Sequence, residues 1–212
     1  MNILKKLWTK KKEKFSYNIE GKNVYFYCEK ELRNVADFFA NILCREEKEH
    51  AILQNNNVIQ IGWNYYKVLQ NGEAFQILGF DLKNKPFENT CEDLSLALTI
   101  FHKQSMVLEK TKAAPVETSF QDTMIAHKAA IRAEHVYMQR SQPEGYDSGW
   151  YLGPVEGDAS ENPEDYVRFY TYQLLAFCSA GLDVLQLPVG TLAVIKNGAL
   201  VEVVNEQNEK IL

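Results

Sequence analysis

Residues 140–168 read RSQPEGYDSGWYLGPVEGDASENPEDYVR, and this segment decides how the second half of the chain is interpreted. No lysine, arginine or histidine lies between its two terminal arginines. Its seven carboxylates are Glu144, Asp147, Glu156, Asp158, Glu161, Glu164 and Asp165. Because such a concentration of negative charge repels itself unless water, a cation or a basic partner screens it, the segment indicates either a solvated loop or a surface that receives something positive.

The tetrapeptide Asp147-Ser148-Gly149-Trp150 has two interpretations. In the structural one, the Asp and Ser side chains bond nearby backbone N–H groups of a turn, Gly149 supplies a positive φ, and Trp150 fills the core. In the functional one, the turn holds Trp150 or Tyr151 beside Asp147 and Glu156. An aromatic anchor within a rim of carboxylates suits the capture of an arginine or lysine from a partner.

Charge is unevenly distributed along the 212 residues. Residues 1–14 contain six lysines and one glutamate, so the net charge of −5 leaves −10 on the rest of the chain. A clustered basic face, which phosphate binding requires, occurs only at the extreme N-terminus, so nucleic acid is not expected as the main ligand. With no signal peptide and no long apolar run, the sequence predicts a cytoplasmic protein without integral membrane association.

The first half of the chain predicts the order β-α-β-β-β-α. A β-branched and aromatic run covers Val24–Cys28, and helical spacing of apolar residues covers 31–50. Short strands are expected between Val58 and Phe80, with Asn71-Gly72 as a hairpin turn, and a second helix over 92–109. The predicted parts are a basic tail at 1–14 and an α+β domain at 15–112.

The second half predicts an α+β domain at 120–205, followed by a polar tail at 206–212. Ser119 and Asp122 favour a helix over 120–132, and strands are expected at 134–140 and 150–152. Asn162 as N-cap and Pro163 at the first position favour a long helix that ends near Gly181. A hairpin with Asn197-Gly198 closes the domain. The predicted fold class is therefore α+β, with two small domains, each a mixed or antiparallel sheet packed on one or two helices.

Recognisable catalytic and metal-binding patterns are lacking in the sequence. Ser148 does not have the flanking glycines of a nucleophile elbow, and neither HExxH, a P-loop nor GxGxxG occurs. The segment 156–162 alternates oxygen-bearing side chains, but its spacing fails the EF-hand pattern, so neither a metal nor a cofactor is expected. The four cysteines stand far apart and are expected to be reduced core thiols.

Several short motifs occur together in residues 130–204. They are Tyr137-Met138-Gln139-Arg140, the Asp147-Ser148-Gly149-Trp150 turn, Gly153 with Glu156, and Leu187-Pro188-Val189-Gly190-Thr191 before the last hairpin. In this combination they resemble a bacterial domain of unknown function that is classed among the immunity proteins of polymorphic toxin systems, type thirty-three. The resemblance implies a cytoplasmic protein that binds and neutralises a cognate toxin, or a relative recruited to another binding task.

The leading prediction is a non-enzymatic protein that binds a protein partner, such as a basic toxin, through an acidic surface. The predicted partner-binding residues are Asp147, Trp150, Tyr151, Glu156, Asp158 and Glu161. Arg140, Ser148 and Gly149 are expected to support the motif, with Arg140 holding a local carboxylate. Two alternatives stay open: an enzyme of unrecognised type with Asp147, Ser148, Arg140 and His135 as its site, and a scaffold or membrane-peripheral regulator that uses the lysine-rich start. The sequence leaves the oligomeric state open.

Overall fold

A computed structural model describes residues 11–157 and 162–212 of the chain. The described residues group into two compact units: residues up to Ile59 together with Tyr66–Thr99, and Gln60–Tyr65 together with Ile100–Leu212. Each unit contains most of a six-stranded sheet, and the predicted α+β class is confirmed. The domain limits 15–112 and 120–205 stay predictions.

The strands of the first sheet and the two helices beside them follow one another along the chain in the predicted order. Its elements are β1 (Lys12–Ile19), β2 (Lys22–Glu29), α1 (Arg33–His50), β3 (Val58–Ile61), β4 (Asn64–Asn71), β5 (Ala74–Phe80), β6 (Thr90–Cys91) and α2 (Ser95–Thr111). The sheet order is β1-β2-β5-β4-β3, with β6 on β5. Pairing of β2 with β5 is parallel, which makes the sheet mixed. Both helices and the Asn71-Gly72 hairpin are confirmed, and β1 and β6 are additions.

The lysine-rich start enters the fold earlier than predicted. β1 begins at Lys12, inside the segment expected to be a solvated tail, and pairs along its whole length with β2. The Nζ of Lys12 lies 2.7 Å from Oδ2 of Asp93. Lys12 and Lys14 therefore belong to a strand and not to a tail. The strand is held in place because Phe15 and Ile19 of β1 are buried. Residues 1–10, which include the amphipathic stretch considered for membrane contact, lie outside the described residues.

Asp93 fixes the start of α2. Its Oδ1 accepts hydrogen bonds from the backbone N of Ser95 at 3.0 Å and from the Ser95 hydroxyl at 2.5 Å. Burial opposes the ionisation of Asp93, but the bonds from Lys12 and Ser95 and the charge of Lys12 outweigh it, so the pKa of Asp93 lies below its ordinary value of 3.8. Ionised Asp93 thus stabilises this unit.

Asp93→Ala is expected to lower the free energy of unfolding by about 1–2 kcal/mol near neutral pH, since it removes an N-cap and an ion pair. A carboxyl group whose pKa is lowered by folding contributes stability above its unfolded pKa and loses it as the pH falls through the folded pKa. The deficit should therefore shrink in strong acid, where protonated Asp93 keeps only its cap oxygen and no ion pair. Urea denaturation at a series of pH values measures it, with Asp93→Asn, which keeps the cap oxygen, as the milder control. A deficit that is the same at every pH would contradict this account.

The second sheet is also mixed. Its elements are β7 (Thr123–His127), β8 (His135–Arg140), β9 (Asp147–Pro154), β10 (Tyr166–Tyr170), a single turn α3 (Leu174–Phe177), β11 (Leu192–Lys196) and β12 (Ala199–Val204). The strand order is β10-β7-β9-β8-β11-β12. β7 and β9 run parallel, and the other neighbours run antiparallel. The Asn197-Gly198 hairpin between β11 and β12 is confirmed, with φ of +51° and +73° at the turn.

The helix predicted over residues 120–132 is wrong. Ser119 and Asp122 are hydrogen-bonded, since the Ser119 N donates to Asp122 Oδ2 at 2.7 Å. This bond closes a turn and does not cap a helix. The chain then enters β7, which lies between β9 and β10. Hydrogen bonding to two neighbouring strands overrides the local helical signal, and only a short 3-10 segment follows at Lys128–Arg132.

The long helix predicted from Asn162 to Gly181 is also wrong. Asn162 caps as expected, accepting a bond from the N of Glu164 at 3.1 Å, but the helix it begins is one 3-10 turn at Pro163–Asp165. The next residues, YVRFY, form the edge strand β10 against β7. Aromatic and β-branched side chains favour a strand, and their spacing fits period 2 as well as a helical face.

The second sheet has one buried face and one accessible face. Side chains alternate along each strand, so the buried positions Met124, Ala126, Met138, Leu152, Ala193 and Ile195 point into the core. The intervening positions are partly accessible: Ile125, Tyr137, Tyr151, Leu192 and Val194. We call this second set the outer face of the sheet.

A segment from the first half of the chain completes the second unit. Trp63 is fully buried there, and its Nε1 donates to the hydroxyl of Thr171 at 3.0 Å. The Trp63 carbonyl accepts from the N of Phe120 at 3.1 Å, and the two rings meet edge to face with centroids 6.1 Å apart. The core of this unit therefore includes a tryptophan that precedes β4 and α2 in the sequence.

All four cysteines are free, with Cys28 and Cys178 buried and the other two partly exposed. Burial raises the pKa of Cys28 to about 12, so its thiol stays protonated. Within the described ranges, none of the helices combines the length and the apolar character that crossing a bilayer requires.

Candidate functional site

The Asp147-Ser148-Gly149-Trp150 motif lies where β9 begins, at an irregularity of the second sheet. Thr123 of β7 pairs with Asp147, but Ile125 pairs with Tyr151, so two residues on β7 correspond to four on β9. The extra residues form a β-bulge, a feature that bends a strand and redirects side chains. The bulge lets the motif bond to β7 and β8 at once.

Gly149 is required at this bulge. Its φ is +76°, and a Cβ built on it would lie 2.2 Å from the carbonyl oxygen of Ser141. The Gly149 carbonyl accepts from both the N and the Oγ of Ser141, at 2.8 and 3.0 Å. The loop between β8 and β9 is therefore closed where the backbones of Ser141 and Gly149 meet. A side chain at position 149 would prevent this contact.

The polar side chains of the motif serve this local structure. Asp147 Oδ1 accepts from the N of Gly149 at 2.9 Å, which is the predicted turn interaction. The Ser148 hydroxyl donates to the carbonyl of Thr123 at 2.9 Å and accepts from the N of Trp150. Ser148 is only 3% exposed. Its hydroxyl is committed to the sheet, which does not suit a nucleophile.

Arg140 supports the motif by a different means from the one predicted. Its guanidinium is buried and donates to the carbonyls of Ser148, Val116, Glu117, Leu185 and Leu187 and to the hydroxyl of Thr118, at 2.6–3.4 Å. Among the residues described, no carboxylate pairs with it, so the expectation that it holds a carboxylate is wrong. Burial lowers the pKa of Arg140 to about 10, which still leaves it charged at neutral pH.

Trp150 belongs to the core and not to the surface. It is 1% exposed, its Nε1 donates to the carbonyl of Leu185 at 3.0 Å, and the Arg140 guanidinium lies 5.6 Å from its ring centre. Its predicted role as an exposed aromatic anchor is therefore wrong. Tyr151, the next residue along β9, points to the outer face because side chains alternate.

An open groove of about 690 Å³ lies directly at the motif. We call it the motif groove, and its principal lining residues are Ile125, Glu144, Asp147, Tyr151, Tyr166 and Arg168. They come from β7, β9, β10 and the loop before β9. The groove thus brings the predicted residues Asp147 and Tyr151 together with four that were not predicted, and Gly149 and Trp150 of the motif also border it.

Charges in the motif groove do not balance. Arg168 Nη1 contacts Asp147 Oδ2 at 2.5 Å and the hydroxyl of Thr123 at 3.1 Å. The carboxylate of Glu144 also lines the groove, and in the described part of the chain it makes neither a hydrogen bond nor an ion pair. The described residues that line the groove therefore carry one uncompensated negative charge.

Aromatic rings continue from the groove across the outer face. Tyr166 stacks edge to face with His127 at 5.3 Å, Tyr151 lies 6.3 Å from Tyr166, and Tyr137 lies 5.8 Å from Tyr151. Gly153 makes room for this row, because a Cβ there would lie 2.6 Å from the Tyr137 ring. Burial, with smaller effects of Tyr137 and Tyr166, raises the pKa of Tyr151 to about 12, so its phenol stays neutral.

Other predicted residues are not part of this groove. Glu156 is exposed and follows the end of β9, whereas Asp147 begins that strand. An eight-residue strand separates its ends by about 20 Å or more. Asp158 and Glu161 lie outside the described residues. Asp147 and Glu156 therefore do not form one rim around a single aromatic side chain.

The constellation considered for an enzyme is also separated. His135 and Arg140 stand at the two ends of β8, and His135 lies beside the far end of β9, where its carbonyl accepts from Val155 N. Its imidazole is thus about 15 Å or more along the strands from Asp147 and Ser148. His135 therefore does not share a site with Arg140, Asp147 and Ser148.

The sequence offered one signal for the residues that were missed. Tyr166 and Arg168 are two positions apart, so in a strand they share a face and meet the same groove. In the helix predicted over residues 162–181, Tyr166 and Arg168 would have pointed in different directions. Glu144 was counted as part of the acidic segment, but its position in the groove depends on the hairpin loop that Gly149 closes.

Residues 103–206 match the family model described as the Imm33-like domain. This matched part of the chain, which we call the Imm33-like domain after the model it resembles, contains the whole motif groove and all of β7–β12. The match confirms the resemblance to type thirty-three immunity proteins and indicates an immunity-protein-like role. Neither a curated protein nor a solved structure matches the chain.

Proposed function

We propose that the Imm33-like domain binds and neutralises a toxin-like protein partner, with the motif groove at the centre of the interface. The observation that carries the proposal is the uncompensated charge in the groove: Glu144 and Asp147 face one arginine, beside the rings of Tyr151 and Tyr166. Tyrosines surrounded by charged groups are typical of residues that dominate binding energy. Immunity-like proteins act in general by binding and not by catalysis.

Two scales of electrostatics support a basic partner. The chain beyond residue 14 carries −10, which attracts a basic protein over a distance of several ångströms at physiological salt. At short range, the groove offers carboxylates next to aromatic rings. Desolvation of the rings adds affinity, and the carboxylates fix the position of the partner's basic side chains in the groove. A basic nuclease blocked in this way would lose access to its nucleic acid. Action in the cytoplasm is part of the proposal.

The proposed interface keeps Asp147 and Tyr151 from the sequence prediction. Tyr166 takes the anchoring role that was predicted for Trp150, because both residues border the groove but Trp150 is only 1% exposed. Glu156 is proposed only as part of a separate acidic rim beyond the end of β9, and Asp158 and Glu161, which lie outside the described residues, stay predicted partner-binding residues. A rim of that kind would accelerate association and contribute little to affinity.

Co-purification of the tagged chain from its native host at low salt, followed by mass spectrometry, identifies the partner. With that partner, the double variant Glu144→Gln/Asp147→Asn is expected to raise the dissociation constant by about 10- to 100-fold and to flatten the salt dependence of association. Asn at 147 keeps an oxygen for the N of Gly149, so the turn should survive.

The control variant is Glu134→Gln/Glu206→Gln, which removes two exposed carboxylates of the same domain that do not line the groove. Its affinity should stay close to that of the wild type. Equal effects of the two double variants would mean that only net charge matters. Recovery of no partner, or unchanged kinetics in the groove variant, would refute the proposed function or move the interface elsewhere.

A further inference from the structure

Arg168 occupies the motif groove like a ligand supplied by the chain itself. Its guanidinium reaches Asp147 Oδ2 and the hydroxyl of Thr123 and lies in the groove lined by the two tyrosines. We propose that Arg168 holds, in the unbound protein, the place that an arginine of the partner takes in the complex, and that binding exchanges one guanidinium for the other. This inference rests on the proposed function and specifies its chemistry.

The acceptor is fixed before any partner arrives. Asp147 Oδ1 is held by the N of Gly149, whose position is determined by the close approach to Ser141. Only Oδ2 is directed at Arg168, at 2.5 Å. A carboxylate that is oriented in this way loses little conformational entropy on binding, which makes it a preorganised site for one cation.

The resident arginine can leave at small cost. The Arg168 side chain is 54% exposed and that of Asp147 is 22% exposed, so solvent screens their attraction. Exposed ion pairs of this kind contribute at most about 1 kcal/mol. Arg168 also lies on β10, an edge strand, where its side chain has room to turn towards water. The pair is therefore a displaceable contact and not a structural one.

The chemistry of the groove favours arginine over lysine. Nη1 of Arg168 serves a carboxylate and a hydroxyl, and a guanidinium still has N–H donors on its other nitrogens for a second carboxylate, whereas an ammonium has all its donors on one nitrogen. Tyrosine faces attract a weakly hydrated cation, and arginine is the cation more often found on them. Glu144 adds a second carboxylate with no partner in the described chain, so the groove has charge left for an incoming cation.

The exchange is testable with small probes and does not require the partner. N-acetyl-arginine amide and N-acetyl-lysine amide are titrated into the full chain, and the tyrosine ring signals are followed by NMR. Arg168→Gln is expected to bind the arginine probe about fivefold more tightly than the wild type, since the competing guanidinium is gone. Arg168→Lys keeps a resident cation that competes less well than arginine, so its affinity should lie between those of the wild type and Arg168→Gln. The lysine probe should bind more weakly than the arginine probe to every variant.

Lys85→Gln is the matched control, because it removes one positive charge and an exposed ion pair, with Glu88, outside the Imm33-like domain. It should bind both probes like the wild type. An Arg168→Gln chain that binds arginine no more tightly than Lys85→Gln does, or that prefers the lysine probe, overturns the inference. A partner that binds through the groove despite that result leaves the proposed function intact. A positive probe result without any recoverable partner supports the exchange and counts against toxin neutralisation.

Discussion

Arg140→Met is expected to lower the free energy of unfolding by at least about 4 kcal/mol, enough to unfold the Imm33-like domain of a marginally stable protein. The substitution preserves much of the aliphatic volume but removes all the donors that Arg140 supplies to five carbonyls and to the Thr118 hydroxyl. Each buried acceptor that loses its partner costs about 1–3 kcal/mol. Urea denaturation followed by tryptophan fluorescence measures the loss, because Trp63 and Trp150 are both buried in the second unit.

Arg168→Met is the matched control for this variant. It makes the same chemical change at an arginine whose side chain is 54% exposed, and its expected effect is below about 1 kcal/mol. Arg140→Lys should fall near Arg140→Met, since one ammonium cannot satisfy acceptors that are spread around a planar guanidinium. A small loss for Arg140→Met would mean that water replaces the missing donors.

Gly149→Ala is expected to lower the free energy of unfolding by about 3 kcal/mol or more. Two penalties combine at this position: a φ of +76°, which L-residues rarely adopt, and a Cβ placed 2.2 Å from the Ser141 carbonyl oxygen. Relief of that clash would open the loop between β8 and β9 and shift Asp147 in the motif groove. The same urea denaturation measures the effect on stability.

The control for Gly149→Ala lies in the same loop. Gly145 has a φ of +58°, and no atom lies within 4 Å of the Cβ that alanine would add. Gly145→Ala should therefore show the conformational penalty alone, about 1 kcal/mol. The difference between the two variants isolates the steric contribution. Losses of equal size would show that Ser141 moves away without cost.

Much of the fold was predictable because its signals are local. Asn71-Gly72 and Asn197-Gly198 mark turns by the positive φ that two consecutive residues must adopt, and both hairpins are confirmed. The helices α1 and α2 follow from an apolar period long enough to exclude a strand. In each case the information lies within about 20 residues.

The two wrong helices show where local information fails. β7 and β10 are only five residues long, and each is a strand because a neighbour offers its backbone hydrogen bonds. In β10, the correct cap at Asn162 sets only one turn, and the aromatic run after it continues as sheet. The secondary structure of such segments is determined by strands that are distant in the sequence. A single sequence does not reveal which strands will pair.

The candidate site was predictable in part for the same reason. The turn formed by Asp147, Ser148 and Gly149 depends on neighbouring residues and is confirmed in structure. The burial of Trp150 and the uncharged partners of Arg140 depend on segments near residues 116 and 186, beyond any local pattern. Arg168 joins Asp147 only because β7 brings their strands together.

The contribution of Gln60–Tyr65 to the second unit has a consequence for how such a chain can evolve. Genes of modular proteins commonly recombine at junctions between contiguous domains, which lets one module be inherited without the other. Here the core around Phe120 and Thr171 includes Trp63. In the gene, the codon for Trp63 is separated from the rest of the second unit by the codons for Tyr66–Thr99, which belong to the first unit. A crossover within the stretch that encodes Tyr66–Thr99 would transmit the Imm33-like domain without that tryptophan. We therefore expect relatives that keep this core to have inherited both halves of the gene as a single block.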